Sequence, residues 1–305
     1  MSLPSSLTKW TPSLVTPPDP LCPIVGIKSP KSLARILGYP LSQLEELCGN
    51  IESNYHKKEI TKKNGAVRVL SVPSGALRKV QTAILRQLQK HPLHPAAYGA
   101  VQRRCHIDNA KRHAAAPYVY CLDFSSFFPS ISSNRIYKLL AEQLGCSPPV
   151  SNILTKLTTY KYKLPTGSPT SPVLTNILCF PLDNRLNSLA CDYGLTYTRF
   201  IDDLTFSGRR IPEGFIRKTK EIITSFGLLL NDEKEELFTP YKGKLVTGIN
   251  VNTNKVRVSR YYKKSVRAQK HQFGLFKDYM TDSEKSKEES RIDGKEQYIR
   301  LVQRR

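Results

Sequence analysis

The run Phe200-Ile201-Asp202-Asp203-Leu204 sets two adjacent carboxylates between apolar, strand-like flanks, and this pair constrains the chain more than any other feature. Carboxylates among apolar strands are costly to desolvate unless cations meet them. A third carboxylate, Asp123, stands near the end of the aromatic and β-branched run Tyr118 to Phe124, which reads as a buried strand. Two strands delivering Asp123 and Asp202 to one point would make a site for two divalent cations about 4 Å apart. An Asp-Asp pair also suits an ordinary hairpin turn, because Asp is a favoured turn residue. On the dipeptide alone both readings stand.

The surrounding chain is strongly basic. Lys and Arg number 47 against 25 Asp and Glu, a formal net charge of +22. Such an excess calls for a polyanion, either nucleic acid or an anionic membrane surface. No apolar run reaches the length of a membrane span, so nucleic acid is the expected partner. The seven cysteines are scattered without a C-x-x-C pair, which argues against a zinc ribbon and against a disulfide framework. Free thiols in a reducing cytosol are the simplest account. The opening residues are rich in Ser and Pro and lack an apolar core, so no secretory leader is expected. His91, His94 and His113 lack neighbouring ligands, which argues against zinc. No phosphate-binding G-x-x-x-x-G-K-[ST] loop and no G-x-S-x-G elbow occurs.

Periodicity predicts intermixed helices and strands without a regular βαβ alternation, hence an α+β fold. Residues 1–31 read as a proline-rich arm. Helical spacing follows from Ser32, interrupted near Pro40. Ile60–Leu70 reads as a hairpin with Lys62-Lys63-Asn64-Gly65 at its tip, and Leu77–Leu88 as a helix. A helix is expected from Asn134, capped by Ser132 or Ser133, and another over Val173–Leu189. Leu195–Ser207 reads as a hairpin tipped by Asp202-Asp203. Phe215–Phe226 reads as a helix, and Val246–Val258 as a hairpin across Asn252-Thr253-Asn254. From Tyr261 the chain is heavily charged and helical.

The order of these motifs resembles the reverse transcriptase family from about Ser32 to Arg300. Cys121-Leu122-Asp123-Phe124-Ser125-Ser126-Phe127-Phe128-Pro129-Ser130 is similar to the first catalytic motif of its palm. Leu164 to Pro172 is similar to the loop that packs against template and incoming nucleotide. Phe200-Ile201-Asp202-Asp203 is similar to the Tyr-x-Asp-Asp box, and Gly227–Asn231 with Lys234 to the motif that follows it. Asn109-Ala110-Lys111-Arg112-His113 and Val246-Thr247-Gly248 are similar to two signatures of bacterial retron enzymes within that family.

The resemblance implies a right-hand polymerase: fingers over 32–117 and 132–168, palm over 118–131 and 169–258, and a basic helical thumb over 259–305. It implies that Asp123, Asp202 and Asp203 are catalytic and hold two Mg²⁺ ions, with the carbonyl of Phe124 as a further oxygen. Arg68, with Lys62 and Lys63, Thr166, Gly167 and Lys234 are the expected nucleotide contacts, and Phe128 the gate that excludes a ribose 2′-OH. A retron enzyme would bind its own structured noncoding RNA and prime DNA synthesis from a 2′-OH within it. The product would be a branched RNA–DNA molecule, made in the cytoplasm for antiphage defence, with an effector protein encoded nearby. RNA contacts are expected from Asn109, His113, Val246, Thr247 and Gly248, and from Arg257, Arg260, Tyr261, Tyr262, Lys263 and Lys264, where tyrosines among basic residues could stack on bases. Two departures stand out: Phe200 replaces the usual tyrosine, and Thr166 the usual glutamine. They leave room for an RNA-binding scaffold without catalysis, and a second alternative is another reverse transcriptase class, group II intron-like or diversity-generating.

Overall fold

The computed structural model describes residues 22–61, 65 and 67–304. Lys62 and Lys63 therefore lie outside the described residues. The chain divides into two compact units, residues up to Pro92 with Ile131–Leu174, and Leu93–Ser130 with Thr175–Arg305. These divisions differ from the expected boundaries at 117 and 168.

In chain order the first unit opens with α1 (Pro30–Leu37) and α2 (Leu41–Gly49). Pro30 sits in the first turn of α1, where a missing N–H costs nothing, and Gly38 closes the helix at φ 75°. The hairpin β1 (Tyr55–Thr61) and β2 (Val67–Pro73) follows in antiparallel register, Tyr55 opposite Pro73, and leads to α3 (Gly75–Leu88). The chain then builds α4 (His106–Lys111), β3 (Tyr118–Asp123) and α5 (Phe127–Ser130) in the second unit. It returns to the first for α6 (Ser133–Lys138), a π-helical turn at Leu139–Gln143, and α7 (Pro148–Thr158). Ser132 caps α6, its Oγ accepting from the Arg135 N–H. Leu33, Ile84, Leu88, Leu140 and Leu154 are fully buried in this unit.

The expected single helix over Val173–Leu189 is two helices, α8 (Ser171–Leu178) and α9 (Phe180–Asp192). Pro181 is the cause: it has no N–H to offer the Ile177 carbonyl, and its ring crowds that oxygen. The second unit continues through β4 (Thr196–Phe200), β5 (Asp203–Gly208), α10 (Glu213–Ser225) and β6 (Glu236–Phe238). Its main sheet is antiparallel in the order β4-β5-β3-β6. Phe206 of β5 stacks on Tyr197 of β4 and meets Phe215 of α10 edge-on, which seats that helix on the sheet.

The expected hairpin over Val246–Val258 is a three-stranded sheet of β7 (Leu245–Val246), β8 (Ile249–Asn250) and β9 (Arg257–Val258). Thr247 and Gly248, both at positive φ, turn between β7 and β8 within two residues. Val246, Ile249, Val258 and Val302 join one buried cluster with Ile107 and Val119. α11 (Arg260–Phe276) and α12 (Asp282–Arg304) end the chain, and Ser259 caps α11 through the Tyr262 N–H. No helix among the described residues is long and apolar enough to cross a membrane.

Candidate active site

The central strands of the main sheet bring the three aspartates together. Asp123 ends β3 directly opposite Asp203, the first residue of β5. Phe200 pairs with Asp203, so Ile201 and Asp202 alone form the turn between β4 and β5. The tip expected at Asp202-Asp203 is thus one residue earlier. Each aspartate offers a carboxylate oxygen, and these atoms lie within 4.8 Å of one another. Backbone bonds fix the setting: the Phe124 N–H donates to the Asp202 carbonyl at 3.2 Å, and the Asn231 N–H to the Asp123 carbonyl at 2.8 Å.

Lys234 follows on a 3₁₀ turn, Asp232–Lys234, and its Nζ donates to Asp123 Oδ2 at 2.7 Å. That hydrogen bond raises the lysine pKa, although the side chain stays largely open to solvent. Asp203 responds in the opposite sense from an ordinary acid. Burial, then the negative charge of Asp202 and the bond to Asp123, push its pKa up to about 7. The cluster therefore carries more negative charge than Lys234 offsets.

The chemistry of the donors fits hard divalent cations. All three are carboxylates, and neither thiol nor imidazole belongs to the cluster. Phe124, whose carbonyl was a candidate ligand, is buried and stacks on Phe127 at 5.0 Å. Phe127 in turn meets Phe128 at 5.6 Å, so the half-buried Phe128 ring is held by an aromatic chain that begins beside Asp123.

The first unit carries the other candidate nucleotide contacts. Gly167 donates its N–H to the Ser71 carbonyl, and a Cβ there would come within 2.6 Å of that oxygen, so only glycine fits. Ser168 Oγ donates to Gln81 Oε1, while Gln81 Nε2 donates to the Leu157 carbonyl and to Tyr55 Oη. This buried amide fixes the Leu164–Pro172 loop beside Thr166. Arg68 is exposed on β2.

The expected RNA contacts separate by burial. Arg257, Arg260, Tyr261, Lys264 and Gly248 are exposed, while Thr247 and Lys263 are half-buried. Tyr262 is half-buried with its ring edge-on to Tyr298. Asn109, His113 and Val246 are a correction to the sequence reading, because all three are buried and none presents a surface to RNA. His113 shares short bonds with Ser207 and Thr198, both 2.7 Å, and burial drives its pKa down to about 3. It is a neutral core residue that ties the segment after α4 to β4 and β5. Sequence reasoning passed over Arg199 and Asp183, a fully buried ion pair at 2.6 Å beside the Asp202 turn. The signal was there: an arginine one residue before the Phe200 box, inside a strand.

A profile of the family described as reverse transcriptase (RNA-dependent DNA polymerase) matches residues 60–278. The chain belongs to the reverse transcriptase family. Its fold is that of a right-hand polymerase, built α+β. It is 34% identical to the Retron Ec86 reverse transcriptase of Escherichia coli, over 67% of this chain and 65% of that one. It is 31% identical to the Retron Mx162 reverse transcriptase of Myxococcus xanthus, over 75% and 54%. The chain thus spans between half and two thirds of the length of these curated relatives. Among solved structures it is similar to apo telomerase from Candida tropicalis, with a TM-score of 0.47, 15% identity, and coverage of 72% and 61%.

Proposed function

We propose that this reverse transcriptase is a retron-type RNA-directed DNA polymerase that copies part of a structured noncoding RNA from a 2′-OH within it. The observation that carries the proposal is the Asp123, Asp202 and Asp203 cluster at the β3–β5 edge, in a chain similar to retron reverse transcriptases over most of its length. In this reading the first unit supplies fingers, and the second supplies palm and thumb. The product is a branched RNA–DNA molecule, with a cellular role in antiphage defence alongside an effector encoded nearby.

The three aspartates and the Phe124 carbonyl would hold two Mg²⁺ ions. When bound, these ions supply the charge that makes a hydroxyl nucleophilic and steadies a departing pyrophosphate. The chemistry is phosphoryl transfer: the primer oxygen bonds to the α-phosphorus of the deoxynucleotide, and the bond to pyrophosphate breaks. Lys234, now held by Asp123, is placed to turn to that pyrophosphate once cations occupy the carboxylates. Phe128 excludes a 2′-OH by bulk, and Arg68 with the Thr166-Gly167 loop contacts the nucleotide. Arg257, Arg260, Tyr261 and Lys264 meet RNA by phosphate contact and stacking. Without the phenol hydroxyl of a tyrosine, Phe200 offers a ring alone near the primer end.

The test is purification of the wild type and Asp202→Ala from the host with bound nucleic acid, followed by denaturing gels before and after RNase and DNase. A short DNA covalently joined to RNA, present only with the wild type, is the expected result. RNA without DNA, together with no primer extension on an RNA template, would leave a binding scaffold as the better reading.

A further inference from the structure

The turn that carries Asp202 is held in a conformation its sequence resists. Ile201 has φ 60°, in the left-handed region that two-residue hairpin turns reserve for Gly, Asn or Asp. A β-branched residue there crowds its own backbone and persists only where the surroundings impose it.

Those surroundings are specific. Arg199, two residues before Ile201 on β4, is fully buried. Its Nε and Nη2 donate to the two Asp183 oxygens at 2.8 and 2.6 Å, in a fork-to-fork pair. Its Nη1 donates to Asn176 Oδ1 at 2.9 Å and to the Ile201 carbonyl at 3.0 Å. Asp183 also accepts from Tyr197 Oη at 2.8 Å, and Asn176 Nδ2 donates to the Gly99 carbonyl at 2.8 Å. The Arg199 backbone is pinned as well, its N–H donating to Ala96 and its carbonyl accepting from Tyr98. Gly99 closes the cradle, because a Cβ there would lie 2.6 Å from both the Ile201 nitrogen and its Cγ1.

A buried ion pair is a weak source of stability, since apolar residues of similar volume often hold a core as well or better. An apolar side chain could not grip the Ile201 carbonyl. We propose that Arg199, seated on Asp183 and Asn176, and Gly99 are positioning residues that hold the Ile201–Asp202 turn in its left-handed form and so fix the Asp202 carboxylate beside Asp123. All four residues are buried, so they act through the turn rather than as catalytic groups. The inference rests on the reading of Asp123 and Asp202 as cation ligands.

The test compares wild type, Gly99→Ala and the double variant Arg199→Met with Asp183→Asn, all as full chains. Two readouts are taken: Mn²⁺ affinity without nucleotide, from the free-ion magnetic resonance signal, and steady-state extension kinetics. Outer residues that orient metal ligands set affinity, so Mn²⁺ binding about tenfold weaker is expected in both variants. Misplaced reacting groups should lower kcat about a hundredfold, and KM for deoxynucleotide should stay within about twofold. Folded variants whose Mn²⁺ affinity and kcat both match wild type would overturn the proposal. Gly99→Ala removes neither Arg199 nor its Asp183 and Asn176 partners, so it decides alone where the double variant does not fold. A wild type that binds Mn²⁺ but extends no primer removes the polymerase reading and leaves this one to be judged on affinities. A wild type that takes up no Mn²⁺ overturns both.

Discussion

Asp203 offers the sharpest quantitative check on the acidic cluster. Its folded pKa of about 7 stands above the ordinary 3.8, so between those values the folded state binds a proton that the unfolded state releases. Stability of the metal-free protein must therefore fall as pH rises from about 4 to 7, the reverse of a salt-bridged aspartate. At pH 8 the gap corresponds to at most about 4 kcal/mol. Asp203 is partly solvated and shares its titration with Asp202 and Asp123, so about half of that, roughly 2 kcal/mol, is a fair expectation. Asp203→Asn removes the repulsion and keeps the shape. Its melting temperature in EDTA at pH 8 should exceed wild type by about 4–8 °C. At pH 5 the gain should shrink to under about 1 kcal/mol, because wild-type Asp203 is then already protonated. The assay is thermal denaturation of both proteins, freed of nucleic acid, at the two pH values. A variant that melts at or below wild type at pH 8, or gains equally at both, would refute the electrostatic reasoning.

Three further outcomes follow from individual contacts. Lys234→Met removes the cation that Asp123 now holds at 2.7 Å, so Mn²⁺ should bind more tightly without nucleotide while extension slows by about a hundredfold; unchanged values in both titration and kinetics would contradict this. Phe128→Val should raise ribonucleotide incorporation relative to deoxynucleotide by about tenfold or more, read by competition in single-nucleotide extension. His113→Ala should cost about 3 kcal/mol in denaturant unfolding, from lost packing and stranded Ser207 and Thr198 hydroxyls, yet leave RNA affinity per folded molecule within about twofold in filter binding. With a folded pKa near 3 against an ordinary 6.5, His113 also gives stability that is full above pH 6.5 and is lost as pH falls towards 3, and the variant should lack that acid-side slope.

Much of this architecture is legible where the signal is local. A run of aromatic and β-branched residues marked β3, apolar strand-like flanks marked the β4–β5 hairpin, and helical spacing marked α3 and α10, because each of these signals lies within a few neighbouring residues. The break after Leu178 was also local, written in Pro181, but the apolar run on either side of it masked the proline. Other features depend on tertiary partners. Which residue occupies the Asp202 turn is set by the pairing of Phe200 with Asp203, a matter of register that the string does not show. The Arg199–Asp183 pair joins residues sixteen positions apart on different elements, and either alone reads as a surface charge. Asn109 and His113 show the limit of motif reading. A match to a signature says which residues recur together, whereas burial decides whether they can touch a ligand.

The charges of the second unit divide into two systems with different physics. Arg257, Arg260 and Lys264 lie exposed, where an attraction for polyanions acts at long range and is screened by salt. In the aspartate cluster Asp123 is buried and Asp202 and Asp203 are half-buried, and the partial burial with the neighbouring carboxylates lets Asp203 keep its proton to about pH 7. An acidic centre repels the phosphates that a basic surface gathers, so the two can serve one reaction only if cations enter with the substrate. Arg199 cannot supply that neutralisation, since its guanidinium is committed to Asp183, Asn176 and the Ile201 carbonyl. Lys234 can give up its place on Asp123, being exposed and held by one bond. The fixed buried cation thus shapes the turn, the movable exposed one answers to occupancy, and the excess negative charge between them is what a divalent ion would satisfy.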